Sequence, residues 1–166
     1  MSAFVVDTNV PIVANGNSSH ANPDCVIACI DALSRIHDGG VIVLDGGMRI
    51  LREYSQHLSP SGQPGPGDFF MKWVWSVQAD ERRCEQVHLT PRGPGSEDFV
   101  EFPDDPDLAR FDPSDRKFVA AALASARTPE VLNAVDSDWA DHHDALKRNR
   151  VNIRFLCPQH VCPLDE

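Results

Sequence analysis

The chain has 166 residues, 42% of them hydrophobic and 24% charged, the balance of one soluble globular domain with a sizeable core. No stretch approaches the ~18–20 consecutive apolar residues of a membrane span, and no basic leader precedes a signal-type apolar run, so the expected location is the cytoplasm. A formal net charge of −10 disfavours a broad nucleic-acid-binding surface, although a carboxylate cluster that holds cations adds negative charge by itself.

Residues 3–7 form an apolar run that ends abruptly in Asp7-Thr8-Asn9, as a buried parallel strand does when its carboxyl end delivers an acid into a crevice. Residues 11–14 lead into a Gly/Asn/Ser-rich loop over 15–22. Pro23-Asp24 opens a helix, since both residues favour a helix start. Its apolar positions Cys25, Val26, Cys29, Ile30 and Leu33 recur at helical spacing to about His37, and Asp38-Gly39-Gly40 ends it. Residues 41–44 are a second buried strand. After the Asp45-Gly46-Gly47 turn, 48–58 is a helix with Ile50, Leu51, Tyr54 and Leu58 on one side and Glu53 next to that stripe. Residues 59–67 are a Ser/Pro/Gly loop.

A helix over about 68–81 carries Phe69, Phe70, Trp73, Val74 and Val77, an aromatic group that reads first as core and second as a base-stacking surface. Residues 84–89 and 99–102 are short strand candidates, and 97–107 is an acidic, solvated excursion. Pro113-Ser114-Asp115 begins a helix whose apolar face is Phe118, Val119, Ala122, Leu123 and Ala126. Residues 131–135 are the next buried strand, ending at Asp136. Ser137 or Asp138 caps a helix to about Asn149, and 151–156 is the last strand. Strand–helix alternation with short apolar strands, no repeat and no interdomain linker predicts a parallel, three-layer α/β/α sandwich in a single domain over 1–166.

The cysteines stand at 25, 29, 84, 157 and 162. An odd count without a secretory signal argues against a disulfide framework. A zinc site from Cys157, His160 and Cys162 has a loose Cys-x4-Cys spacing and no matching second pair, so the cysteines are read as free thiols.

Ligands of an open parallel sheet bind at the strand carboxyl ends where the strand order reverses. Asp7 and Asp136 have that address, and Glu53 and Asp115 lie on helices that can point back at it. Each has a bland alternative: a turn acid for Asp7, a helix cap for Asp136 or Asp138, a dipole-favoured first-turn acid for Asp115, a solvated helix position for Glu53. Asp112, before Pro113, reads as a turn former, which leaves Asp115 as the preferred acid. Converging carboxylates raise one another's pKa unless a cation neutralises them, and Mg²⁺ and Mn²⁺ are the ions such oxygen donors suit. Asp138 is a further candidate ligand, Thr8 and Asn9 are candidate supports of Asp7, and Arg116-Lys117 is the basic pair beside the acids for phosphate contact. No nucleophile elbow, P-loop or strand-linked GxGxxG is present.

Four motifs in order resemble the PIN-domain ribonucleases: Val6-Asp7-Thr8-Asn9-Val10, Ile50-Leu51-Arg52-Glu53-Tyr54, Asp115-Arg116-Lys117-Phe118-Val119-Ala120, and Ala134-Val135-Asp136-Ser137-Asp138-Trp139. Together they span residues 4–156. The resemblance implies a central five-stranded parallel sheet, a Mg²⁺ or Mn²⁺ site, and endonucleolytic RNA hydrolysis leaving a 3′-hydroxyl and a 5′-phosphate. It carries catalytic roles to Asp7, Glu53, Asp115 and Asp136. It also implies RNA as substrate and, for a toxin-type member, an antitoxin or other protein partner, with a homodimer as a further expectation. Ala134 stands where the family commonly has a hydroxyl residue, and the loop/helix insertion at about 59–110 is longer than in small toxin-type members. The alternatives are an inactive module working through protein partners, and another metal-dependent phosphoesterase. Asp7-Thr8-Asn9 lacks the second Asp that a haloacid-dehalogenase-type phosphatase needs after its first strand.

Overall fold

The computed structural model describes residues 1–161. Its sheet has five strands, all parallel: β1 (Ala3–Val6), β2 (Val41–Asp45), β3 (Cys84–Val87), β4 (Glu130–Asn133) and β5 (Asn152–Phe155), in the order β3-β2-β1-β4-β5. Helices α1 (Asn9–Ala14), α2 (Pro23–Gly39) and α4 (Pro66–Val77) pack on one another, while α5 (Arg116–Ala124) lies against β1, β2 and β4 with α3 (Arg49–His57) beside it. This is the expected three-layer α/β/α sandwich. Every residue of β2 is buried, which is why residues 41–44 are continuously apolar rather than alternating. The chain winds from β1 outward to β3 on one side and then crosses back to β4 and β5 on the other. The order therefore reverses between β1 and β4.

Helix α2 starts as its sequence predicts. Pro23 is its first residue, and the Asn22 side chain accepts the Cys25 N–H at 2.9 Å. At its other end the Arg83 guanidinium donates to the carbonyls of Ile36 (3.1 Å), which also accepts the Gly40 N–H, and of His37 (2.5 Å) and Gly40 (3.0 Å) at the helix terminus. Buried Asp68 holds the loop before α4. Its carboxylate accepts N–H groups from Ser59 (2.7 Å) and Gly65 (3.0 Å) and the Asn15 amide at 3.1 Å. Asn15 in turn accepts from the backbone of Gly67 at 2.7 Å. A Cβ at Gly67 would stand 2.0 Å from the Pro11 carbonyl oxygen, so α4 approaches α1 as closely as it does only with glycine there.

Several sequence expectations change. Residues 9–14 are helix α1, which tolerates Pro11 because first-turn N–H groups need no intrahelical partner. The region 99–102 forms no strand beyond one isolated bridge, Pro91 to Phe99. The acidic segment 97–107 is solvated only in part: Glu97, Asp104 and Asp107 are exposed, but others are not. Phe99 and Phe102 are buried in it, Glu101 accepts the Thr90 N–H and hydroxyl, and Asp105 takes the Arg148 guanidinium at 2.7 Å. Those ion pairs absorb charge that looked free for solvent. Residues 59–110 also contribute α4 and the edge strand β3, so this stretch is integral to the layers. The helix expected to run to Asn149 is two, α6 (Ser137–Asp141) and α7 (His143–Arg148), broken at His142.

The cysteine expectation is corrected most plainly. Cys25 and Cys157 form a disulfide across a sequence separation of 132, a pairing no local spacing reveals. Cys29 and Cys84 are buried free thiols, and Cys162 lies outside the described residues. Among the described residues no helix is long and apolar enough to cross a membrane.

Candidate functional site

Asp7 follows directly on β1, and Asp136 lies just past β4, so the two flank the point where strand order reverses. Asp115 arrives from the third side. It ends the short 3-10 turn Pro113–Asp115 and leads into α5, yet its side chain caps nothing there. Asp112 takes the capping role instead, accepting the Ser114 N–H at 2.9 Å. One carboxylate oxygen from each of Asp7, Asp115 and Asp136 lies within 4.8 Å of the others.

Asp7 is held from both ends. Its Oδ1 accepts the Asn9 N–H at 3.0 Å, and its Oδ2 accepts the Trp139 indole N–H at 2.9 Å. Each oxygen keeps a lone pair for a further partner. Burial raises the Asp7 pKa well above the usual carboxylate value, and the negative charges of Asp136 and Glu53 add to the rise; the two N–H donors oppose it. Asp115 is raised for the same leading reason, burial, followed by the charge of Asp7 and a carboxyl–carboxylate hydrogen bond with Asp136. Without a cation, the cluster lowers its own cost by retaining protons.

Asp45 shows what a bland strand-end acid does in this fold. It is as buried as Asp7, but its oxygens accept the N–H groups of Arg49 (3.0 Å) and Ile50 (2.9 Å), starting α3. No second acid faces it among the described metal-type clusters.

Glu53 sits at the rim and outside the three-acid cluster. One of its oxygens accepts the Thr8 hydroxyl and the other the Lys117 ammonium at 2.8 Å, so the expected support residue Thr8 acts on Glu53. Asn9 supports Asp7 through its backbone N–H, while its side chain ties β1 to β4: its amide donates to Asn133 at 2.7 Å and its oxygen accepts the Ala134 N–H at 2.8 Å. Asp138 stands apart from the cluster. Its carboxylate accepts the Asp112 N–H at 2.9 Å and lies 3.2 Å from His142 Nδ1. Arg116 is turned toward the protein, donating to the carbonyls of Ala109 and Phe111, pairing with Asp98 at 3.2 Å and covering the Phe102 ring. Lys117 faces a cleft of about 400 Å³ with Arg49, Arg52, Glu53 and Phe99 among its lining. Of the basic side chains farther from the acids, Arg83 is engaged at α2, Arg148 with Asp105 and Arg154 with Glu130.

Two residues that the sequence reading passed over matter here. Trp139 is fully buried and holds Asp7; Asn133 is fully buried and donates to the Asp136 carbonyl at 3.0 Å. Asn133 had a legible signal, a lone amide in the apolar run Val131-Leu132-Asn133-Ala134. No family model, curated protein or solved structure matches the chain.

Proposed function

We propose that the chain is a metal-dependent endoribonuclease of the PIN type that its four motifs resemble, hydrolysing RNA at the Asp7–Asp115–Asp136 cluster with Mg²⁺ or Mn²⁺. The observation that carries this reading is the convergence of buried acids from the ends of β1 and β4 and from the start of α5 at the switch point of the sheet. The donor set is all oxygen, which suits a hard divalent ion. Two of its members are driven toward protonation by burial, a cost that a cation would remove.

When bound, such a cation supplies an activated water and stabilises charge on the attacking and leaving oxygens. The chain's own residues do the rest. Trp139 and the Asn9 N–H fix the orientation of Asp7, and the Asn9–Asn133 bridge fixes the spacing between the β1 and β4 acids. Glu53, oriented by Thr8 and Lys117, is the proton acceptor at the rim. Arg49, Arg52 and Lys117 give the adjoining cleft a basic side for phosphate within a chain of net charge −10.

The test is cleavage of RNA in Mg²⁺ or Mn²⁺ by the parent, Asp7→Asn and Asp136→Asn. Both variants should lose at least about a hundredfold, beyond the ~10–100-fold typical of supporting residues. Undiminished cleavage by both would refute the site.

A further inference from the structure

The carboxylate site leaves one group of reactive side chains unused, the sulfurs between α2 and the end of β5. Cys25 lies in the first turn of α2 and Cys29 one turn on, so both point to the same side. Cys157 follows β5 and is joined to Cys25. All three are fully buried, and their Sγ atoms lie within 4.8 Å of one another. Directly after Cys157 comes α8 (Pro158–Val161), whose His160 brings Nε2 to 3.4 Å from the Asn22 backbone N–H. Asn22 is the cap of α2 and binds the Cys25 N–H, so His160 stands at the same helix end as Cys25.

We infer that, once the Cys25–Cys157 bond is reduced, Cys25, Cys29 and Cys157 form a site for Zn²⁺ that His160 closes by turning from the Asn22 N–H. A disulfide alone uses two sulfurs, and the third is left beside it. Tetrahedral zinc with Zn–S bonds of about 2.3 Å sets its sulfurs roughly 3.8 Å apart, and the three Sγ atoms already lie within 4.8 Å of one another. The ligands come as two short pairs, Cys25-x3-Cys29 on a helix and Cys157-x2-His160 at a strand-to-helix turn, and three cysteines with one histidine make a structural zinc set.

The chemistry balances in two steps. A phosphine breaks the S–S bond, taking oxygen from water to become the phosphine oxide and leaving two thiols. Zn²⁺ then displaces three thiol protons to solvent and takes the neutral imidazole of His160. None of this rests on the carboxylate cluster.

The experiment titrates Co²⁺, then Zn²⁺, into the full chain, oxidised or phosphine-reduced, without oxygen. The reduced chain should bind one Co²⁺ with the sulfur-to-cobalt charge-transfer band and tetrahedral ligand-field bands, lose both to equimolar Zn²⁺, and melt at a higher temperature with Zn²⁺. The oxidised chain should show no sulfur band; cobalt on the aspartates gives none either. Cys29→Ser keeps the disulfide, so its folding is checked in the oxidised state. In the reduced state it should weaken zinc binding at least about tenfold, as should His160→Ala. X-ray absorption at the zinc edge of the unmutated reduced protein needs no variant to fold and should count three sulfurs and one nitrogen. A reduced chain without the sulfur band, a Cys29→Ser variant that binds as tightly as its parent, or a zinc shell with fewer than three sulfurs or no nitrogen overturns the assignment.

Discussion

Trp139→Phe is the sharpest perturbation of the acid cluster that leaves every acid in place. The indole N–H is the donor to Asp7 Oδ2, at 2.9 Å and away from water. A hydrogen bond to a charged group contributes about 1.5–3 kcal/mol net. The smaller ring also leaves a gap against Phe111, whose centroid lies 5.0 Å away edge-to-face, at a further cost of about 1 kcal/mol. The expected loss is about 2.5–4 kcal/mol, or a fall of roughly 5–16 °C in melting temperature for a chain of this size. Packing and hydrogen bonding separate in a double-mutant cycle with Asp7→Ala, read by urea unfolding at pH 8. The cycle should return a coupling of about 1.5–3 kcal/mol. Because the indole holds Asp7's proton affinity down, its loss should also move the onset of Mg²⁺-dependent stabilisation to higher pH. A coupling below about 0.5 kcal/mol, the scatter of additive pairs, would show that Trp139 only fills space and refute the reasoning.

Two further outcomes follow from the buried acids. Asp7 and Asp115 bind protons more tightly folded than unfolded, so their contribution to the stability of the metal-free protein should be full below about pH 4 and be lost as pH rises through neutrality. Added Mg²⁺ or Mn²⁺ should raise the melting temperature more at pH 8 than at pH 5, and an equal shift at both would count against a cation at these acids. Asp68 has the opposite sign. Burial alone would raise its pKa, but the N–H groups of Ser59 and Gly65 and the Asn15 amide bring it below the ordinary value, so its contribution holds above about pH 4 and fades in acid. Asp68→Ala should cost about 1–3 kcal/mol at neutral pH and less near pH 3, by denaturant unfolding; a pH-independent cost would sink the account.

What could be read along the chain was what local chemistry encodes. Continuous apolar runs marked β1, β2 and β4, and the acids just beyond two of them marked the crevice. Pro23-Asp24 marked the start of α2, though not the Asn22 cap behind it. The unread parts depend on partners far away. The Trp139 indole becomes a ligand of Asp7 only because β4 lies beside β1, and Cys157 meets Cys25 only because the segment after β5 returns to the start of α2. Acidity misled at 97–107, where Asp98 and Asp105 meet Arg116 and Arg148 in place of water. The break at His142 had no Gly or Pro to announce it; the ring of His142 packs edge-on against Phe111 and contacts Asp138.

The β1–β4 pairing also sets an order of events on the ribosome. When β1, β2 and β3 have emerged they can already align, but β1 then presents an apolar open edge until residues 130–133 have been made. Asp7 waits at that edge in contact with water. Asp115, whose helix packs on β1 and β2, can reach it before β4 is made, but the repulsion from Asp136 and the burial between β1 and β4 come only when β4 docks. That part of the cluster's electrostatic cost is thus deferred until most of the apolar burial is available to offset it.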